Sequence, residues 1–222
     1  MSSEIEETPT PRSRFSAIAF DWGGVLTPPP MVGLEIYGEK LGLPTGTLSA
    51  FLRGDAAFAK VETGAMTARD FLRDVCVRVE RQHGVRVDIR ELAAAMTAAR
   101  VLVPEMIELV RELAAHYDVA MLTNNLLENR EWLRDELPED CFRIVVNSAE
   151  LGLRKPDPAI YRELLRRLDL PAAAVVYIDD FVENLAPAAD LGMHTILFEN
   201  PASCRAELAR AGVIGSAADR AR

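Results

Sequence analysis

A chain of 222 residues, 49% hydrophobic and 27% charged, has the apolar content of one large globular domain or of a core with an insert. Its net charge of −9 argues against nucleic acid or an anionic membrane as a partner, because no basic stripe offsets the acid excess. No apolar run approaches the ~20 residues of a membrane span, and Cys76, Cys141 and Cys204 show neither metal nor disulfide spacing; a reducing, cytoplasmic setting is expected.

Residues 1–14 are polar and proline-containing, without the apolar centre of a signal peptide, and are expected to form a disordered tail. The run FSAIAF then predicts a strand ending at Asp21. Trp22, Gly23 and Gly24 follow, and after Val25-Leu26-Thr27 come Pro28, Pro29 and Pro30. Residues 31–103 read differently. EIYGEKLGL, TLSAFLRGDAAFAKV, TARDFLRDVCVRVERQ and DIRELAAAMTAAR each have the spacing of an amphipathic helix, and no convincing strand separates them. This insert leaves and rejoins the chain beside Asp21, so it is expected to be a helical cap that closes as a lid over whatever Asp21 does.

The pattern resumes across 104–215, which with 15–30 makes up the expected core domain; 216–222 are a second tail. DVAMLT predicts a strand ending before Asn124, FRIVVN a weaker one ending at Asn147, AAVVYI one ending before Asp179, and HTILF one ending before Glu199. Helices are expected at Ala159–Leu168, after a proline start, and at Asn184–Leu191, before Gly192. Strands alternating with helices imply right-handed crossovers. The expected fold class is α/β: a doubly wound, Rossmann-like parallel sheet with an inserted all-helical cap. Ligands of such sheets bind beyond the carboxyl ends of the strands, so the polar residues ending these runs face one crevice.

A strand-end carboxylate followed by glycines suits a covalent nucleophile with backbone N–H groups presented to an anion. Alone this is weak, since turns also pair aspartate with glycine. Three later stretches strengthen it. Thr123, Asn124 and Asn125 offer a hydroxyl, carboxamides and backbone donors to phosphate oxygens, although Thr and Asn also cap helices. GLRKPDPAIY holds Lys155 in a proline-flanked loop before a helix, where a point charge would sit beside phosphate and nucleophile. YIDDFVEN ends a strand with Asp179 and Asp180. Adjacent buried carboxylates repel, so a cation or hydrogen bonds must offset them, and Mg²⁺ suits oxygen donors of this kind.

In this order the four stretches resemble the haloacid dehalogenase-like superfamily, the aspartate-nucleophile hydrolases, from about Phe15 to Phe198. LTNN, KPDPAIY and IDDFVENL are most similar to the branch with a helical cap after the first strand, as in the phosphatase domain of soluble epoxide hydrolase. The resemblance implies that Asp21 is the nucleophile and a Mg²⁺ ligand, with the Gly23 carbonyl and Asp180 as the other protein ligands. It implies that Thr123 and Asn124 hold the phosphoryl group, with Asn125 and the backbone of Trp22 and Gly23 beside them. Lys155 would neutralise charge, while Asp179 and Asn184 support the site. The expected substrate is a small phosphorylated molecule, and the protein a monomer or homodimer.

One position departs from the pattern. Relatives carry D-x-D, whose second aspartate protonates the leaving alkoxide; here that position is Gly23. Three readings stay open: a phosphomonoesterase whose leaving group needs little protonation, a dehalogenase-type or other hydrolase, and a catalytically weak binding protein. Within the cap, Tyr37, Arg53, Lys60 and His83 are the polar candidates for substrate contact, and each also reads as an ordinary solvated helix residue.

Overall fold

The computed structural model describes residues 14–98, 100–138 and 141–215, so the expected tails lie outside the described residues apart from Arg14. Five parallel strands form one sheet in the order β3-β2-β1-β4-β5. They are β1 (Ala17–Phe20), β2 (Asp118–Thr123), β3 (Ile144–Asn147), β4 (Val175–Asp179) and β5 (His194–Leu197). Each predicted apolar run is one of these strands. Side chains alternate along them, and both faces are covered. Ile18, Phe20, Met121 and Ile178 face α5 (Pro104–Ala114) and α10 (Pro201–Arg210). Ala17, Ala19, Ala120 and Tyr177 face α8 (Pro158–Leu168) and α9 (Val182–Asp190).

The register decides where the chemistry sits. Phe20 pairs with Met121 on one side and Ile178 on the other. Strands in step therefore end together, and Asp21, Thr123 and Asp179 emerge at one edge. The chain runs outward from β1 through β2 to β3, then crosses to β4 on the far side of β1. The gap between β1 and β4 is thus the switch point where parallel sheets open a crevice.

Helices α1 (Met31–Lys40), α2 (Ala56–Glu62), α3 (Ala68–His83) and α4 (Ile89–Thr97) form the cap around a core of their own, including Leu34, Phe71, Val75 and Leu92. The stretch TLSAFLRGDAAFAKV is not the single helix its spacing predicts. It is a 3₁₀ turn (Ser49–Phe51) and then α2, because Asp55 accepts the N–H groups of Ala57 and Phe58 and so starts a new helix. The last elements are α6 (Arg130–Glu136) and α7 (Ser148–Leu151). No helix among the described residues is long and apolar enough to cross a membrane.

Candidate active site

Asp21 continues the β1 ladder: its N–H donates to Ile178 O at 2.8 Å, which holds the side chain at the switch point. The chain then turns sharply about the Trp22 carbonyl, which accepts the N–H groups of Leu26 (2.8 Å) and Thr27 (3.1 Å). The two glycines differ in this turn. Gly24 has φ +91°, and a Cβ there would lie 2.1 Å from Asp180 Oδ2, so conformation and space both demand glycine. Gly23 has no such φ, and the nearest atom to an added Cβ is Pro30 Cδ at 3.7 Å. A Cβ fits at 23, so neither backbone nor contact at that atom demands glycine there.

Lys155 is the centre of the cluster. It is 1% exposed, and its Nζ lies 2.8 Å from Asp21 Oδ1 and 2.7 Å from Asp179 Oδ2. Its main chain is clamped by the Asn124 carboxamide, which donates to Lys155 O (3.0 Å) and accepts from Lys155 N–H (2.8 Å). Burial opposes the lysine's charge, but the two carboxylates outweigh it and raise its pKa.

The adjacent aspartates lead opposite lives. Asp179 is 0% exposed and has four donors: Lys155 Nζ, Tyr177 OH, Phe181 N–H (2.8 Å) and Asn184 Nδ2 (2.9 Å). Asn184 reaches it from the first turn of α9, and its own carbonyl accepts Tyr161 OH at 2.6 Å. Asp180 Oδ1, by contrast, is buried without a partner. Burial, then repulsion from Asp179, pushes the Asp180 carboxyl up to about 6. Burial likewise pushes Asp21 up to about 7; Lys155 opposes this, and Asp179 and Asp180 add to it.

Asp21, Asp179 and Asp180 each place one oxygen within 4.8 Å of the others. Three carboxylates against one lysine leave an excess of negative charge and one unanswered oxygen. Hard oxygen donors with surplus charge fit Mg²⁺. Asp179 is already saturated, so Asp21 and Asp180 are the carboxylates free to ligate.

The remaining expected residues divide. Thr123 ends β2, buried, at the crevice edge. Asn124 uses its carboxamide on Lys155, so the phosphate contact expected of it is left to its backbone. Asn125 Oδ1 accepts from Leu126 N–H (2.8 Å) and Asn129 Nδ2 (2.6 Å), and its N–H donates to Ser148 Oγ (3.0 Å); it shapes the loop. The Trp22 indole meets Trp132 edge-on at 5.4 Å between centroids.

Above this edge lies a pocket of about 280 Å³. Gly23, Thr123 and Asn124 line its floor, Trp22 and Trp132 a side, and Leu52, Phe58, Leu72 and Met96 of the cap its roof. Tyr37, Arg53, Lys60 and His83 are not among the lining residues; Arg100, which sequence reasoning passed over, is. A second missed feature joins cap to core. Glu62 ends α2, and its Oε2 accepts from Arg154 Nε (2.8 Å) and Nη2 (2.7 Å), one residue from Lys155. The Glu62 carbonyl accepts Ser148 Oγ at 2.6 Å, and Gly64 (φ +71°) lies so close that a Cβ would stand 2.6 Å from Ala149 O. Burial raises the Glu62 pKa against the pull of Arg154.

The chain that places this aspartate–lysine–aspartate cluster at the switch point is matched by one family model, haloacid dehalogenase-like hydrolase, over residues 15–192. The chain belongs to that family. It is 32% identical over 208 residues to acyl-CoA dehydrogenase family member 10 of Mus musculus, covering 87% of this chain and 19% of that protein. Bifunctional epoxide hydrolase 2 of Sus scrofa is 30% identical, with 86% and 38% covered, so the chain spans well under half of these two relatives. A sesquiterpene phosphatase of Aspergillus oryzae is 32% identical over 189 residues, with 81% and 87% covered. Among solved structures, a haloacid dehalogenase-family enzyme of Bacteroides thetaiotaomicron in complex with magnesium and inorganic phosphate aligns with TM-score 0.64 at 22% identity, covering 83% and 94%. A 2-haloacid dehalogenase of Pseudomonas syringae aligns with TM-score 0.54 at 24% identity, covering 83% and 86%. At these identities the two structures speak for the fold.

Proposed function

We propose that this hydrolase is a Mg²⁺-dependent phosphomonoesterase that forms an aspartyl-phosphate on Asp21, and that its substrate has an apolar organic group. The observation carrying the reading is the ion cluster Asp21–Lys155–Asp179 beside the unanswered Asp180 oxygen. Asp21 Oδ attacks phosphorus as the ester P–O bond breaks, and the alcohol oxygen leaves with the bonding pair. Water then attacks the same phosphorus, releases phosphate and restores the Asp21 carboxylate. Asp21, Asp180 and the Gly23 carbonyl would hold Mg²⁺, which supplies charge neutralisation for the phosphoryl oxygens. Lys155 holds Asp21 in line and offsets its charge; Asp179 keeps Lys155 there. Thr123 Oγ1 and the backbone at Trp22, Gly23 and Asn124 are assigned to the phosphoryl oxygens.

Gly23 brings no proton to the leaving oxygen, so weakly basic leaving groups are favoured. The apolar pocket accepts the organic part, and a sesquiterpene phosphatase among the relatives is in keeping with that. The test is hydrolysis of 4-nitrophenyl phosphate with Mg²⁺, with chelator, and by Asp21→Asn. Activity that survives the chelator or the substitution overturns the proposal. The dehalogenase reading has Gly23 in its favour, since halide leaves unprotonated. Halide release from a 2-haloacid without metal would establish it instead, but the unanswered Asp180 oxygen speaks for a metal.

A further inference from the structure

The pocket beside Asp21 is mostly apolar, with Thr and Asn side chains among its lining and one cation, Arg100, which lies in the segment that leads from α4 back to the core. Its guanidinium sits over the Trp132 ring, 5.0 Å from the centroid, and donates through Nη2 to Asn129 Oδ1. Trp132 in turn packs on Trp22, the residue after the nucleophile. Two ring contacts therefore separate Arg100 from Trp22, whose backbone is assigned to the phosphate end. Glu128, the other charged residue of the lining, turns its Oε1 to Ala68 N–H at the start of α3 (2.8 Å). Among the described residues no carboxylate forms an ion pair with Arg100, whereas three other arginines of the cap and its seam have one: Arg78 with Asp55, Arg73 with Asp70, Arg154 with Glu62.

A half-buried guanidinium over an aromatic face and without a counter-charge is a costly arrangement. It has five N–H donors in a planar fork suited to carboxylate or phosphate oxygens, and Asn129 accounts for one nitrogen. Burial lowers its pKa, consistent with a cation not balanced from within. The volume, about 280 Å³, sits at the small end of ligand pockets and allows a compact apolar body between the two anion-binding ends.

We propose that Arg100 reads a second anionic group of the substrate, so that the substrate class is a phosphate monoester whose compact apolar body ends in a carboxylate or a second phosphate. The proposal rests on the phosphomonoesterase reading for the reacting end and adds a specificity-determining residue at the other.

The test uses aryl phosphates in matched pairs, 4-(ω-carboxyalkyl)phenyl phosphates against 4-alkylphenyl phosphates of equal length, with Mg²⁺. The wild type should prefer the carboxylated member at one chain length by about 10- to 100-fold in kcat/KM, the worth of a charged hydrogen bond. Arg100→Gln should collapse that ratio and Arg100→Lys should keep part of it. Because each ratio is taken on one protein, a loss of folded enzyme cancels. No preference at any length, or a preference that survives Arg100→Gln, overturns the role of Arg100 while hydrolysis of both series leaves the phosphatase reading standing. If neither series is hydrolysed, that reading fails, and calorimetry with Asp21→Asn and the same pairs still decides Arg100. Tighter binding of the carboxylated member, lost in Asp21→Asn/Arg100→Gln, supports it; equal binding removes it.

Discussion

The floor of the crevice gathers three aspartates around one lysine, whereas the roof sets four apolar side chains over the adjoining pocket, whose lining includes one arginine. The floor is held by saturation. Asp179 has four donors, and Asn124 fixes the lysine backbone at both its N–H and its carbonyl. Little there can move without stranding a buried charge. The four roof side chains are held by packing, and a change of shape among them alters fit without unpairing a charge. The floor should therefore govern turnover and stability, and the roof selection among substrates.

The strongest way to break this contrast is Asp21→Asn. Turnover of 4-nitrophenyl phosphate should fall by about 10⁴-fold or more, because the proposed nucleophile is gone. Chemical unfolding of the metal-free variant should show no loss of stability, since Lys155 keeps Asp179. Residual turnover near the wild-type rate would remove Asp21 from the chemistry.

Next come the adjacent aspartates, which should part company. Asp179→Asn strips Lys155 of one counter-charge and also sets an amide donor among the four donors that converge on Asp179, so it should destabilise the fold by about 3–5 kcal/mol in urea unfolding. Asp180→Asn should leave stability unchanged or improved, yet weaken Mg²⁺ binding by about 100-fold in calorimetry. Equal effects of the two would mean that their environments do not differ as the hydrogen bonds indicate.

Gly23→Asp sharpens the comparison at the boundary of floor and roof. Neither the backbone nor contact at a Cβ stands against the substitution. The variant should narrow the gap between aryl and alkyl phosphates by about 10- to 100-fold, by speeding the alkyl esters. An unchanged gap, measured across leaving groups of graded basicity, would show that another group already supplies the proton.

The smallest effect is on pH. Asp21 is pushed up to about 7 and Asp180 to about 6, from 3.8, in the metal-free protein. Between pH 4 and 7 the folded chain therefore holds more protons than the unfolded chain, and stability falls as pH rises. The metal-free melting midpoint should drop by about 3–6 °C across that window. Mg²⁺ favours the carboxylates and should flatten or reverse the slope. A metal-free midpoint that climbs from pH 4 to 7 would contradict the burial of these groups.

Much of the floor was legible in the sequence because its parts end strands. Two-sided apolar runs stop at Asp21, Thr123 and Asp179, and parallel register turns that coincidence into adjacency. Lys155 was legible from its proline-flanked loop. What escaped depends on contacts distant along the chain. Asn124 reads as a phosphate ligand, but its carboxamide turns to the main chain of a residue 31 positions on. Asn125 also lines the pocket, but its carboxamide oxygen is taken up by Leu126 N–H and Asn129 within its own loop. Gly23 and Gly24 look alike on paper; only the approach of Asp180 tells them apart. Glu62 reads as an ordinary helix end, and Arg100 as a basic residue between alanine and valine. The polar cap residues that did stand out, Tyr37, Arg53, Lys60 and His83, play no part in the pocket lining.

The seam at Glu62 bears on how such enzymes can be rebuilt. A helical cap between two strands invites exchange as a cassette, one cap for another on a common core. Here the end of α2 presses Gly64 against the Ala149 carbonyl, takes a hydrogen bond from Ser148 and grips Arg154 beside the lysine. A chimera cut only at the two connecting loops would carry Glu62 and Gly64 away from their partners and leave Arg154 dangling next to the Asp21–Lys155 ion pair. A workable graft moves Ser148, Ala149 and Arg154 together with the cap, although all three belong to the chain of the core.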